Sequence, residues 1–158
     1  MTQLECVILI GLQASGKTSF YRERFASTHE HISKDSFPTA RNRATRQAAL
    51  IDAALARGRP VVLDNTNPTP ADRVGPIRLA HTRGARVVAY YFDSTRQASL
   101  ARNRRRQGKA RVPDVAILTT ASRLVPPARA EGFDEIFRVR LTDEGTFAVS
   151  PCAETVGE

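Results

Sequence analysis

Gly11-Leu12-Gln13-Ala14-Ser15-Gly16-Lys17-Thr18 follows directly on the apolar run Cys6-Val7-Ile8-Leu9-Ile10. It leads at once into Ser19-Phe20-Tyr21-Arg22-Glu23-Arg24-Phe25, a stretch of helical character. Strand, glycine-bounded loop and helix in this order make a phosphate-binding loop. The strand delivers the loop to the sheet edge, the glycines let backbone N–H groups curl around phosphate, and the helix N-terminus adds partial positive charge. All eight loop residues are then nucleotide-binding, with Lys17 reaching the β- and γ-phosphates and Thr18 ligating Mg²⁺. A chance glycine-rich turn would not fill all four specified positions and also supply the flanking strand and helix.

Outward from the loop, apolar strands and helical stretches alternate. His31 to Asp35 reads as a short strand ending in a carboxylate, and Arg43 to Arg57 as a helix stopped by Gly58 and Pro60. Val61-Val62-Leu63-Asp64 is a buried-strand run, Pro70 to Thr82 a helix, Arg86 to Phe92 an apolar strand and Ser94 to Gln107 a helix. A basic break over Gly108 to Pro113 precedes a helix from Asp114 to Arg123. Phe133 to Leu141 and Thr146 to Val149, joined by Asp143-Glu144-Gly145, form a terminal strand pair. The alternation predicts an α/β phosphate-loop NTPase fold, a parallel sheet with helices on both faces and a small basic lid at about 104–113.

The length of 158 residues favours a single domain over 1–158 with a tail at about 150–158. Hydrophobic content of 41% and charged content of 25% are ordinary for a globular chain, and no apolar run approaches a membrane span. Cys6 and Cys152 lie far apart without metal-ligand spacing, and Met1 to Glu5 lacks the basic start of a signal peptide. The expected location is the cytoplasm, where ATP is. The net charge of +8 is carried almost wholly by arginine, since only Lys17, Lys34 and Lys109 are lysines. Such a balance suits a polyanionic partner, although dispersed arginine is also an ordinary solvated surface. The cluster Arg102, Arg104, Arg105, Arg106, Lys109 and Arg111 alone is dense enough to predict phosphate contacts.

In a parallel sheet the strand C-termini converge on one crevice, which gathers Gly11, Asp35, Asp64 and Asp93. Asp93 is best read as a strand-end or helix N-cap carboxylate. His29, His31 and His81 show no ligand spacing, and Tyr90, Tyr91 and Phe92 read as strand-core aromatics. Arg102, at the start of the lid, is placed to stack on a nucleobase as a planar cation.

The phosphate loop followed by Ile32-Ser33-Lys34-Asp35, then Asp64-Asn65-Thr66-Asn67-Pro68 with Arg73 beyond, then Arg102-Asn103 and Val112-Pro113, resembles the kinase domain of the 5′-polynucleotide kinases of phage and bacterial end-repair enzymes. The likeness spans about residues 4–140. It implies ATP as phosphate donor, Mg²⁺, and a nucleic-acid 5′ end as acceptor. It also implies Asp35 as the general base, Arg106 as the lid cation on the transferring phosphate, and Asp35, Asp64, Thr66, Asn67 and Arg73 around the acceptor, with Asp64 orienting either the acceptor side or the water shell of the metal. Arg104 and Arg105 are alternatives to Arg106. One departure bears on the acceptor: the family's arginine three residues after the base is Pro38 here, with Arg41 and Arg43 just beyond. Two other readings remain open: a small-molecule kinase of zeta-toxin type acting on a sugar or sugar nucleotide, and a nucleotide-dependent regulatory module that phosphorylates nothing.

Overall fold

The computed structural model describes residues 3–37 and 41–152. Six strands form one sheet in the order β2-β3-β1-β4-β5-β6. They are β1 (Glu5–Ile10), β2 (Glu30–Ile32), β3 (Val61–Leu63), β4 (Arg86–Phe92), β5 (Glu135–Leu141) and β6 (Phe147–Pro151). The first five pair in parallel and β6 closes the edge antiparallel to β5. The helices are α1 (Lys17–Arg24), α2 (Arg43–Ala56), α3 (Pro70–Thr82), α4 (Arg96–Arg104) and α5 (Asp114–Arg123). Among the described residues no helix is long and apolar enough to cross a membrane.

Strand β1 is central because Cys6 to Ile10 can tolerate no water on either side. Cys6, Ile8 and Ile10 pack on one face with Ile51, Leu55, Ile77 and Phe133, whereas Val7 and Leu9 pack on the other with Phe20, Phe92 and Val139. This period-two division puts α2 and α3 on one face and α1 on the opposite one. Helix α3 starts where Thr69 and Asp72 cap each other reciprocally with Pro70 at the first position.

One expectation about the strand ends is corrected, and for Asp93 the first of its two readings holds. Strand β2 stops at Ile32, and Ser33 caps a 3₁₀ turn over Lys34–Ser36 by accepting the Asp35 N–H at 3.2 Å. Asp35 therefore leaves the sheet on a turn instead of ending a strand. Asp93 directly follows the last residue of β4, as a strand-end carboxylate should, and pairs with Arg140 at 3.2 Å and Arg138 at 3.8 Å; the N-cap of α4 is Thr95, through the Ala98 N–H at 3.0 Å. The position of Pro38 lies outside the described residues.

Candidate active site

The loop at the end of β1 owes its shape to two glycines. A Cβ on Gly11 would sit 2.8 Å from Phe92 Cβ, so the loop can cross the end of β4 only without a side chain. Gly16, at φ +98°, turns the chain into α1 in a conformation that favours glycine. Lys17 is folded back inside the loop, where its ammonium donates to the carbonyls of Gly11 at 3.0 Å and Leu12 at 2.5 Å. Burial pushes its pKa down to about 8, with Asp64 and Asp35 pulling upward and Arg106 opposing them.

Asp64 to Pro68 can be decoded residue by residue. The Asp64 carboxylate, 6% exposed, accepts from Thr18 Oγ1 at 2.6 Å and lies 2.8 Å from His31 Nε2. Burial pushes its pKa up, but the hydrogen bonds from His31 and Thr18 and the charge of Lys17 outweigh that, and it falls below its ordinary value. Asn65 accepts the Lys34 N–H at 2.9 Å and donates to buried Gln47 at 2.7 Å, which fixes the turn bearing Asp35. The Thr66 carbonyl accepts the Gly11 N–H at 3.0 Å. Asn67, at φ +44°, donates to the Leu9 carbonyl at 2.8 Å. The Pro68 carbonyl receives the Val125 N–H at 2.8 Å and Arg73 Nη2 at 3.1 Å.

Arg73 is fully buried, and all five guanidinium hydrogens are engaged. They reach the carbonyls of Asn67, Pro68 and Val125 and both oxygens of Glu131. The expectation that Arg73 holds the acceptor is corrected on this ground: no donor is left, and its work is to clamp the 64–68 segment to the segment before β5. Arg73→Ala is expected to lower folding stability by about 3–5 kcal/mol, the cost of breaking a buried ion pair. Urea unfolding measures this; a raised acceptor KM at unchanged stability would restore the binding role.

Two clefts flank the loop. The first, of about 360 Å³, is lined by Gln13, Asn65, Thr66 and Asn67, by Asp35, and by three cations from different elements, Lys34, Arg43 and Arg123. Asp35 projects into it with a side chain 96% exposed, 3.7 Å from Arg43. Of the residues expected around the acceptor, Asp35 and Thr66 line this cleft. Asn67 lines the cleft, but its amide is tied to β1. Asp64 does not line this cleft; it meets Thr18 at the phosphate loop, where the second of its two expected roles, orienting the water shell of the metal, would be performed. The second cleft, of about 350 Å³, lies beside Ser15 and Arg102, between α4 and the end of β5. Arg102 donates to Ala14 O at 3.4 Å and Ser94 Oγ at 3.3 Å.

The lid is closed at its base by buried Asn103, whose side chain exchanges two hydrogen bonds with the Val112 backbone at 2.7 and 3.0 Å. Arg106 is half-buried, donates to Ala110 O at 3.2 Å and is near enough for its charge to act on Lys17. Arg104 is exposed and drawn to Asp114 at 3.8 Å, and Arg105 is exposed. Sequence reasoning missed His31, set aside for want of ligand spacing although it touches Asp64. It placed Gln13 on the nucleotide with the rest of the loop and did not foresee that its side chain ties the phosphate loop to α5 through Thr120 Oγ1 at 3.1 Å.

Among the described residues no three His, Cys, Asp or Glu side chains gather as a metal cage. The hydroxyl of Thr18 against the carboxylate of Asp64 fits instead a small hard cation that keeps its waters and arrives with phosphates.

The chain belongs to the AAA domain family, which matches residues 6–127. The bifunctional polynucleotide phosphatase/kinase of Schizosaccharomyces pombe is 26% identical over 139 residues, 85% of this chain but 33% of that protein, so the chain spans about one third of its relative's length. The fold is shared with a gluconokinase from Sinorhizobium meliloti 1021, at TM-score 0.62 and 17% identity over 90% of this chain and 86% of that one. It is shared also with the PezAT chromosomal toxin–antitoxin system of Streptococcus pneumoniae, at TM-score 0.70 and 14% identity over 94% and 72%.

Proposed function

We propose that this member of the AAA domain family is an ATP-dependent kinase that phosphorylates a hydroxyl, and that the acceptor is the 5′-OH end of a polynucleotide. The observation that carries the reading is the division of labour across the loop: a buried lysine and a Thr18–Asp64 pair at the loop itself, and an exposed carboxylate among three cations in the cleft beside it.

Phosphoryl transfer leaves little covalent work to the protein, so position and charge must do most of it. Lys17 leaves the loop carbonyls for the incoming phosphates, whose charge replaces the lost solvation. Thr18 and Asp64 would hold Mg²⁺, which would neutralise charge on the β- and γ-phosphates. Asp35, with its exposed carboxyl in the cleft, takes the proton from the acceptor hydroxyl as attack proceeds. Arg106 faces the charge that develops on the transferring group.

Three features support a polynucleotide acceptor over a neutral sugar: the cations Lys34, Arg43 and Arg123 on separate walls, the net charge of +8, and the Schizosaccharomyces pombe relative. One observation favours the second reading: a cleft of about 360 Å³ also accommodates a small phosphorylated sugar. The deciding assay offers γ-labelled ATP and Mg²⁺ with 5′-OH oligonucleotides, sugars and nucleosides. Label is expected on the oligonucleotide, with KM rising roughly tenfold between about 50 and 200 mM salt, since each neutralised phosphate on a single strand contributes a log–log slope of about −0.7. Label on a metabolite and on no oligonucleotide at low salt would move the assignment to a small-molecule kinase.

A further inference from the structure

We propose that His31 is a positioning residue for Mg²⁺ binding: its ring N–H joins the Thr18 hydroxyl on one oxygen of the Asp64 carboxylate and so keeps the other oxygen for the water shell of the ion. The inference rests on the kinase reading and its Thr18–Asp64 metal site, and adds to it a side chain that acts only through Asp64.

Both side-chain hydrogen bonds to Asp64 fall on the same oxygen. Thr18 Oγ1 lies 2.6 Å and His31 Nε2 2.8 Å from Oδ2, and among the described residues no N–H or O–H donates to Oδ1. A carboxylate only accepts, so the His31 nitrogen is here a donor. One hydrogen bond would leave the carboxylate able to swing about Oδ2, whereas two donors from different elements, α1 and β2, restrict that swing. The Thr18 hydroxyl has one hydrogen to give, and with it on Asp64 only its lone pairs are left for a metal. His31 therefore supplies the orienting contact that has no second duty.

The imidazole is itself held from two sides. Pairing of β2 with β3 sets His31 opposite Val62 and runs on to the Asp64 N–H, which donates to the Ile32 carbonyl at 2.8 Å. On the other side lies the Tyr21 ring, its centroid 4.5 Å from that of the imidazole, and the Tyr21 hydroxyl donates to the His29 carbonyl at 2.7 Å. Tyr21 and Thr18 stand three residues apart on α1 and so share a face of that helix. That one face carries both the hydroxyl bonded to Asp64 and the ring that seats His31. The Asp64 carboxylate is almost wholly shielded from solvent, where a hydrogen bond to a charged group is strong and its loss is not made good by water.

The test measures how far Mg²⁺ strengthens binding of a non-hydrolysable ATP analogue to the full chain, by calorimetry at saturating Mg²⁺ and in EDTA. His31→Phe keeps a ring against Tyr21 and removes the donor. His31→Gln removes the ring and keeps an N–H donor of similar reach. The phenylalanine variant should lose about tenfold of the Mg²⁺-dependent gain, the low end for removing a hydrogen bond from a metal-holding carboxylate, with affinity in EDTA unchanged. The glutamine variant should keep most of the gain. Mn²⁺ titrated into the analogue complex and followed by electron paramagnetic resonance should give the same order. The His31 side chain is 31% exposed, and should the phenylalanine variant not fold, His31→Ala takes its place. A full Mg²⁺ gain without the donor, an equal loss in the glutamine variant, or a parallel fall in EDTA would each overturn the positioning role. A wild type that binds the analogue equally well with Mg²⁺ and in EDTA would bring down the Thr18–Asp64 metal site itself, and this inference with it.

Discussion

Replacing Lys17 by methionine is expected to lower turnover at least about 10³-fold, the scale seen when a cation that follows the transferring phosphate is removed. Methionine keeps the buried stem and deletes only the ammonium, so the fold should survive. The structure adds a check that activity alone cannot supply. Burial holds the Lys17 pKa at about 8, below the value near 10.4 of an unfolded lysine. Between those two values the unfolded chain binds more protons than the folded one, so this group makes folding stability rise with pH across that window. Below pH 8 both states are protonated and the burial cost is present in full. Wild-type stability measured against Lys17→Met should therefore improve from pH 8 to about pH 10. Turnover above a few per cent of wild type would sink the phosphate-loop role, and a flat stability difference would show that Lys17 is not buried as charge.

Much of the scaffold was legible because its signals are local. Pro70 to Thr82, Arg86 to Phe92 and Asp114 to Arg123 coincide with α3, β4 and α5, since each is bounded by a cap, a glycine turn or a proline. Asp35 was harder. Its three-residue strand is too short for alternation to mark an end, and Ser33 turns the chain one residue after it. The fate of Arg73 depends on Glu131, 58 residues away, which no local pattern predicts. A partial signal did exist: helical side chains lean toward the N-terminus, so an arginine in the first turn of α3 reaches back over the 64–68 segment instead of outward. His31 escaped notice for a related reason. Its meaning comes from the register that sets β2 beside β3 and so brings it to Asp64, and register is a tertiary fact.

Asp35→Asn is expected to reduce turnover by roughly 10²- to 10⁴-fold while ATP binding and stability stay near wild type, the range for loss of a positioned base. The geometry makes this a clean substitution. The Asp35 side chain is 96% exposed, its one close charged contact among the described residues is Arg43 at 3.7 Å, and the turn that presents it is held by the Lys34 and Asp35 backbone N–H groups. Asparagine preserves size and the turn and removes only the ability to accept a proton. The Thr18–Asp64 pair, where Mg²⁺ would be held, should be indifferent, since those side chains meet each other and not Asp35. Single-turnover rates at saturating ATP separate the alternatives. A collapse of ATP affinity with chemistry intact would make Asp35 a nucleotide or metal ligand. Loss of the rate with unchanged ATP affinity would place it where the acceptor hydroxyl gives up its proton, in the cleft that Lys34, Arg43 and Arg123 make positive.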